Sequence, residues 1–283
     1  MAAIALALSS SLLWGLSDFL GGLKSRTLPV PLVLGGQYLV SLMAMLVFVA
    51  ARGVGPPAAD AIAASLGAGL LGILGLSAFY RALAIGTMSI VAPIAATGVA
   101  LPVLVGIATG ERPGLVCSAG LAAAVVGIVL ASREDDGGAL DGRQQRQSIA
   151  LAMLAGVGFG SYFVLAEIGA NADVPWALAL SRVAATPFII GVAVLALRPG
   201  ARRPHGWEIG ALVAIGLLDL GANAAYNVAT TLGELSTVAV ASSLYPVTTV
   251  LMAALVLGER VRGVQRAGVV VALAGVVLIA AGS

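Results

Sequence analysis

Five ionisable residues lie inside otherwise apolar stretches of this sequence: Asp18, Arg81, Glu167, Arg182 and Asp219. A charge in apolar surroundings is costly, so these groups are expected to pair with one another or to line a polar cavity. Arg182 and Asp219 lie nearest to the middle of their stretches. We therefore predict that they form an ion pair beside a cavity and exchange partners when the protein changes conformation. Arg81 and Glu167 lie closer to stretch ends, where a long side chain can instead reach water.

A polar stripe extends from Asp219. Asp219, Asn223, Tyr226 and Asn227 are spaced i, i+4, i+7 and i+8, which places them on one face of a helix. Two roles are open for this face. It can join helices through hydrogen bonds worth about 1 kcal/mol each, or it can form the wall of a cavity. The neighbouring charge of Arg182 favours the cavity.

Polar residues also occur in the first half of the chain. Asp18 follows Trp14 by one helical turn and precedes Gly21-Gly22, where the missing side chains permit close approach of another helix. We expect Asp18 to take up a proton or to pair with Arg81, and a structural role is equally supported. The residues predicted to line a substrate pathway are Trp14, Asp18, Gln37, Tyr80, Arg81, Arg182, Asp219, Asn223, Tyr226 and Asn227. The arginines suit an anionic or zwitterionic ligand, and the aspartates suit proton coupling.

Four prolines fall inside apolar stretches: Pro93, Pro102, Pro187 and Pro246. Proline removes a backbone donor and frees a carbonyl group, which a cavity can satisfy. We predict that these positions are kinks or gates.

The residue inventory argues against several classes of function. Cys117 is the one cysteine and His205 the one histidine, so a disulfide framework and a His/Cys metal cluster are excluded. No Walker lysine motif and no Ser/His/Asp or Cys/His set is present. The net charge of +2 comes without a basic nucleic-acid-binding face. We expect no enzyme, no cofactor and no nucleic-acid partner.

The elements that position these residues are predicted to be transmembrane helices. Hydrophobic residues make up 60% of the chain and charged residues 10%, with a mean hydropathy of +1.06. The apolar residues fall into runs of about 20, which is the length that crosses a bilayer. Residues 1–20 lack the basic start and cleavage site of a signal peptide, so we expect a retained helix. The ten predicted helices are 3–22, 30–51, 61–84, 88–109, 114–132, 149–169, 174–197, 208–229, 235–257 and 263–281.

The sequence contains one pattern twice. Residues 110–132 and 258–280 are identical at ten of 23 positions without a gap, beginning with Gly-Glu-Arg in both copies. Each copy continues with small residues at i, i+4 and i+7, which predicts helices that pack closely on one another. Glu111 and Glu259 are expected to cap the helices that they precede.

The duplication predicts two structural units, 1–132 and 149–283, joined by a polar linker at 133–148. Five helices per unit is an odd number, so the second unit must enter the membrane from the opposite side. We therefore expect an all-α integral membrane protein with ten transmembrane helices in two inverted five-helix repeats, and a central site between the repeats. Trp14-Gly15 aligns with Phe159-Gly160, and Gln37 aligns with Arg182.

These features resemble the EamA family of the drug/metabolite transporter superfamily over nearly the whole chain. The resemblance rests on Trp14-Gly15, the run Ala-Phe-Tyr-Arg-Ala-Leu at 78–83, both Gly-Glu-Arg blocks and Tyr245-Pro246. It implies a ten-helix carrier with a central cavity and with the fifth and tenth helices packed outside it. Gly98 stands where the first half would match Tyr245-Pro246, so the two halves are not identical at this point.

Two features of the sequence predict opposite orientations of the chain in the membrane. Most basic residues fall in loops that follow odd-numbered helices, which places both termini outside by the positive-inside rule. The family resemblance implies that both termini are cytoplasmic.

From the sequence we expect a secondary carrier, an exporter or exchanger, in the plasma membrane. It would move a small polar or amphipathic metabolite by alternating access, with a proton as candidate coupling ion and the bilayer as its surroundings. A homodimer is left open. The alternative is a lipid flippase or a non-transporting accessory subunit, and a lateral opening lined by apolar residues would favour the flippase.

Overall fold

A computed structural model describes residues 2–108, 114–131, 142–196, 204–233, 235–259 and 263–281. Within those ranges every regular element is helical. The elements are α1 (Ala2–Ser25), α2 (Val30–Arg52), α3 (Ala59–Ile85), α4 (Met88–Ala96), a 3₁₀ turn (Thr97–Val99), α5 (Ala100–Ala108), α6 (Leu115–Ala131), α7 (Gly142–Ala172), α8 (Val174–Ala196), α9 (Trp207–Leu232), α10 (Leu235–Ser242), α11 (Tyr245–Leu257) and α12 (Gly263–Ala281).

The helices form a multi-pass membrane bundle. Six of the described helices are long and apolar enough to cross a bilayer, namely α1, α2, α3, α7, α8 and α9. Large apolar side chains such as Val47, Leu195 and Leu255 are exposed on the outside of the bundle. This surface suits lipid, which solvates apolar side chains without the cost that water imposes.

The fourth and ninth predicted helices are each interrupted. The fourth consists of α4, the 3₁₀ turn and α5, with Pro93 inside α4 and Pro102 inside α5. The ninth divides into α10 and α11. Pro246 lies in the first turn of α11, where a backbone N–H would have no acceptor within the helix, so the N–H that proline lacks costs no hydrogen bond. The seventh differs, since α8 continues through Pro187.

The two halves of the chain are interleaved. Helix α1 packs on α9, α10 and α11 from the second half, and α7 packs on α3, α4 and the 3₁₀ turn from the first half. Helices α2 and α8 also pack on each other. Every helix that carries a predicted site residue therefore contacts the opposite half, so the halves form a single interior.

Two glycines make matching close contacts between the halves. A Cβ on Gly15 of α1 would overlap Thr248 and lie 2.7 Å from the Tyr245 carbonyl oxygen, at the break between α10 and α11. A Cβ on Gly160 of α7 would overlap the Gly98 carbonyl oxygen and lie 2.7 Å from Leu101 Cβ, at the break between α4 and α5. The alignment of Gly15 with Gly160 is therefore reproduced in their contacts, because each glycine lets its helix cross the broken helix of the other half.

The duplicated pattern from the sequence forms a separate pair of helices. Helices α6 and α12 pack along each other. The glycines of the small-residue stripes are buried in both: Gly120, Gly127, Gly268 and Gly275. Among the described lining residues of the central cavity, none comes from α6 or α12, so these helices are packing elements.

One helix begins earlier than expected, and another is capped from the other half of the chain. Helix α7 begins at Gly142, inside the polar stretch that predicted a linker and seven residues before the expected start at 149. Residues 260–262, at which Glu259 was expected to cap its own helix, lie outside the described residues, and the described side-chain contacts of Glu259 are with the other half. Its carboxylate accepts hydrogen bonds from the Ser89 backbone N–H at 3.2 Å and the Ser89 hydroxyl at 3.3 Å, and pairs with Arg26 at 2.9 Å. Glu259 thus caps α4 of the other half. The predicted cap at Glu111 lies outside the described residues, as do residues 133–141 of the linker.

Candidate functional site: a charged cavity between the halves

A cavity of about 60 Å³ lies where the two halves meet. Its lining is Trp14, Asp18, Tyr38, Gly72, Leu76, Phe159, Tyr162, Phe163, Arg182, Asp219, Asn223 and Tyr245. One water needs about 10–15 Å³ by this measure, so the cavity has room for a few waters. A metabolite enters only if the surrounding helices move apart.

Arg182 and Asp219 form the predicted ion pair at this cavity. Arg182 Nη2 lies 2.9 Å from Asp219 Oδ2, and the two side chains are only 3% and 9% exposed. The guanidinium carbon of Arg182 also lies 4.8 Å from the centre of the Tyr38 ring, within range of a cation–π contact. Arg182 Nε is buried and has no hydrogen-bond partner in the described structure. The pair neutralises both charges and leaves one donor for a bound molecule.

The polar face of α9 is buried, as its spacing predicted. Tyr162 of α7 donates a hydrogen bond to Asn223 Oδ1 at 2.6 Å, and Asn227 Nδ2 lies 3.5 Å from the Tyr162 hydroxyl. The amides of Asn223 and Asn227 also donate to backbone carbonyls one turn earlier, at 2.7 and 2.8 Å. This face therefore has both roles considered from the sequence: Asp219 and Asn223 line the cavity, while Asn227 lies behind them and joins α9 to α7.

Asp18 of α1 lines the same cavity without a partner. It is 6% exposed, and no described residue makes a hydrogen bond or an ion pair with its carboxylate. Tyr80 and Tyr245 lie near it, but the Tyr80 hydroxyl is directed to Gln37 Oε1 at 3.2 Å and the Ser17 carbonyl at 3.4 Å. The Tyr245 hydroxyl is buried without any hydrogen bond. The structure thus contains a buried carboxylate for which the described residues supply no counter-charge.

Aromatic rings form much of the cavity wall. Six of its twelve lining residues are aromatic, in a chain where aromatic residues make up 5%. Trp14 packs against Phe163 and Tyr226 with ring centres 5.9 and 5.6 Å apart. Phe159 packs against Tyr245 and Phe79 at 6.5 and 5.4 Å. Each group combines rings from both halves, so movement of one half against the other changes both walls.

Sequence reasoning missed several of these wall residues. Tyr38, Tyr162 and Tyr245 were not among the predicted pathway residues, although all three line the cavity. A signal was present, since Phe159, Tyr162 and Phe163 are spaced to share a face of their helix.

The remaining predicted pathway residues are not part of the described cavity lining. Gln37, Tyr80 and Tyr226 are fully buried and are not among the described lining residues. Arg81 is exposed and is not part of the lining. The predicted pairing of Asp18 with Arg81 is therefore absent, because α3 directs Arg81 to its outer surface. Within the described ranges, no group of three His, Cys, Asp or Glu side chains could hold a metal ion.

The sequence pattern of the EamA-like transporter family matches residues 1–133 and again 146–281. The chain belongs to this family. The two matches cover both halves of the interleaved bundle, so the central cavity lies between two EamA-like units. Membership agrees with a multi-pass membrane protein of the drug/metabolite transporter type.

Comparison with solved structures supports the fold. One structure, described as "Crystal structure of protein", resembles this EamA-like chain with a TM-score of 0.69 at 18% sequence identity, covering 98% of this chain and 95% of the other. At that identity the likeness concerns the fold alone. No curated protein matches the chain.

Proposed function

We propose that this EamA-like protein is a secondary active transporter, an exporter or exchanger of a small polar or amphipathic metabolite in the plasma membrane. The observation that carries the proposal is the cavity between the halves, which holds the Arg182–Asp219 pair and the unpartnered Asp18. Charges inside a membrane are costly and are typical of substrate and ion pathways. Transport, and not catalysis, is the activity that such a site supports.

The mechanism that we propose is alternating access between two inverted repeats that together cross the membrane ten times. The matched contacts of Gly15 and Gly160 support this arrangement, because each unit's first helix crosses the broken helix of the other unit. The breaks between α4 and α5 and between α10 and α11 provide the points at which each unit can bend. A proton is the candidate coupling ion, and Asp18 is the residue that would exchange it.

The proposal is tested by flux from proteoliposomes. The full chain is reconstituted into liposomes loaded with an isotope-labelled extract of small metabolites, and the metabolites that leave are measured by mass spectrometry. We expect a subset to leave faster than from protein-free liposomes and faster than from liposomes with the double variant Arg182→Met/Asp219→Leu. Equal efflux from all three preparations, with and without a proton gradient, would show that the protein is not a carrier of these metabolites.

A lipid flippase is the second candidate, and one observation bears on it. An apolar groove of about 320 Å³ lies between α2 and α8 and is lined by residues such as Leu46, Val49, Trp176 and Val183. None of the described residues lines both the groove and the central cavity. A polar headgroup would therefore cross without contact to the buried charges, which makes the flippase the weaker proposal. Scrambling of a fluorescent phospholipid without metabolite efflux would favour it.

A further inference from the structure

We propose that the cavity binds a positively charged organic amine with an apolar body, held by the Asp18 carboxylate and the surrounding aromatic rings. The inference rests on the proposed transport function and names the substrate class for the same site. It reverses the expectation from the sequence, in which the arginines suggested an anionic or zwitterionic substrate.

The charges at the cavity leave a negative excess. Arg182 is already paired with Asp219, and Arg81 is exposed outside the lining. Asp18 therefore remains without a counter-ion in the described lining, and the ionisable group that influences it there is Asp219, which carries the same sign. With Asp18 ionised, the three lining charges sum to one negative charge. A ligand with one positive charge balances them.

Asp18 also lacks hydrogen-bond donors. It is 94% buried (6% exposed), and none of the described residues donates to it. A buried carboxylate without donors is unfavourable, and a charge-assisted hydrogen bond from an ammonium group corrects this directly. The Tyr245 hydroxyl lies in the same lining without a partner and adds a second polar contact for the same ligand.

The cavity walls fit an ammonium group with an apolar body. Trp14 precedes Asp18 by four residues, so indole and carboxylate share one face of α1. Aromatic faces attract cations within about 6 Å of the ring centre, most strongly in desolvated sites. The cavity already contains such a contact, since the Arg182 guanidinium lies 4.8 Å from the centre of the Tyr38 ring.

An anionic substrate fits less well. It would meet two carboxylates, and the fully buried guanidinium donor that lacks an acceptor in the described structure is Arg182 Nε. Arg182 Nη2 could bind an anion only if the pair with Asp219 broke, which would leave a second buried carboxylate without a counter-charge. Binding at Nε alone keeps the pair, but it offers the anion a guanidinium whose charge Asp219 already balances.

Binding to the purified full chain in nanodiscs tests the substrate class. The probes are phenethylamine and 3-phenylpropionate, which share a phenylethyl body and differ in the sign of charge. Isothermal titration calorimetry is run on the parent chain, on Asp18→Asn, on Asp18→Glu and on the control Asp173→Asn, whose carboxylate pairs with Arg52 away from the cavity. We expect phenethylamine to bind the parent and Asp173→Asn equally, and to bind Asp18→Asn about 10- to 100-fold more weakly. Asp18→Glu should retain part of the affinity, and 3-phenylpropionate should not bind where the amine saturates.

Three results would overturn the inference: unchanged phenethylamine affinity in a folded Asp18→Asn variant, tighter binding of 3-phenylpropionate than of phenethylamine, or no binding of either probe. Thermal unfolding of Asp18→Asn establishes that it is folded, and we expect no loss of stability because an unpaired charge is removed. The flux assay is independent of these measurements. Metabolite efflux without amine binding would support the transporter and contradict the amine as its substrate. Asp18-dependent amine binding without any efflux would support the binding site and contradict the transport function.

Discussion

Arg182 of α8 and Asp219 of α9 are joined by a 2.9 Å contact, yet both belong to the second half of the chain. The matching positions in the first half are Gln37 and Ile73, which have no charges. The ion pair therefore has no counterpart across the duplication. The fold is duplicated, but the ion pair occurs in the second half only.

The first prediction concerns the Arg182–Asp219 pair. Arg182→Met or Asp219→Leu alone leaves one buried charge uncompensated, and we expect each to lower the free energy of unfolding by about 3–5 kcal/mol. The double variant removes both charges, so we expect it to recover most of this stability while remaining inactive in the flux assay. Thermal unfolding in detergent and efflux from proteoliposomes measure the two properties separately. Parental efflux by the stable double variant would show that the pair is structural only.

The second prediction concerns the crossing of α1 with α11. In Gly15→Ala the new methyl group overlaps Thr248 and approaches the Tyr245 carbonyl oxygen, so we expect a loss of about 1–3 kcal/mol from overpacking. Gly191→Ala in α8 is the matched control, because a Cβ there meets no atom within 4 Å. It should be neutral or gain about 0.5–1 kcal/mol through helix propensity. The unfolding temperatures of the two purified variants test this prediction, and equal values would contradict the close crossing of α1 and α11.

The third prediction concerns the carboxylate that caps α4 from the other half. Glu259→Ala removes the acceptor for the Ser89 backbone N–H and the partner of Arg26. We expect a loss of about 1 kcal/mol, as for other helix caps. Ser89→Ala is the control, since it removes one hydroxyl bond and keeps the cap on the backbone. If hydrogen exchange at the start of α4 is equally protected in both variants, Glu259 is not the cap.

The fourth prediction is a pH dependence outside the membrane-spanning segments. Two hydrogen bonds from Arg52, at 2.8 and 2.9 Å, and one from the Trp176 backbone N–H hold the pKa of Asp173 below its ordinary value. A lowered carboxylate pKa stabilises the fold fully above the ordinary value of about 3.9, and the effect is lost as the pH falls through the lowered pKa. Arg52→Ala should therefore lower the unfolding temperature slightly and equally between pH 5 and 8, and the difference should shrink below about pH 4.

Arg81→Ala is the control for this measurement. Arg81 is exposed and makes no hydrogen bond or ion pair with a described residue, so its removal should leave the unfolding temperature unchanged at every pH. An Arg52→Ala difference that persists undiminished at pH 3 would show that the effect does not come from Asp173.

Much of the fold was predictable because membrane helices have a strong local signal. Apolar runs fixed α1, α2, α3 and α9 to within a few residues. The starts of helices were less predictable. Helix α7 begins in a polar stretch at Gly142, where Gln144 Nε2 donates to the Ile85 carbonyl oxygen at 2.7 Å. This contact caps another helix's end, and hydropathy does not detect such tertiary hydrogen bonds.

The site was predictable where helical spacing alone sets direction. The face of α9 from Asp219 to Asn227 is buried as its period indicates. Arg81 shows the limit of this prediction. The apolar stretch around it does not indicate whether a residue near a helix end points into the bundle or out of it. The partner of Glu259 was equally beyond reach, since Ser89 is 170 residues away in the sequence and no local pattern joins them.

The length of α7 has a consequence for how the protein lies in its bilayer. At 31 residues the helix is about 46 Å long, whereas the hydrocarbon layer is about 30 Å thick. If α7 runs along the membrane normal, about three turns lie beyond the acyl chains, and a tilt shortens this part. The polar end, with Arg143, Gln144, Arg146 and Gln147, is the part suited to that position. We expect this end to lie among the phosphate headgroups, which attract arginine side chains, and thereby to set the depth of the bundle in the bilayer.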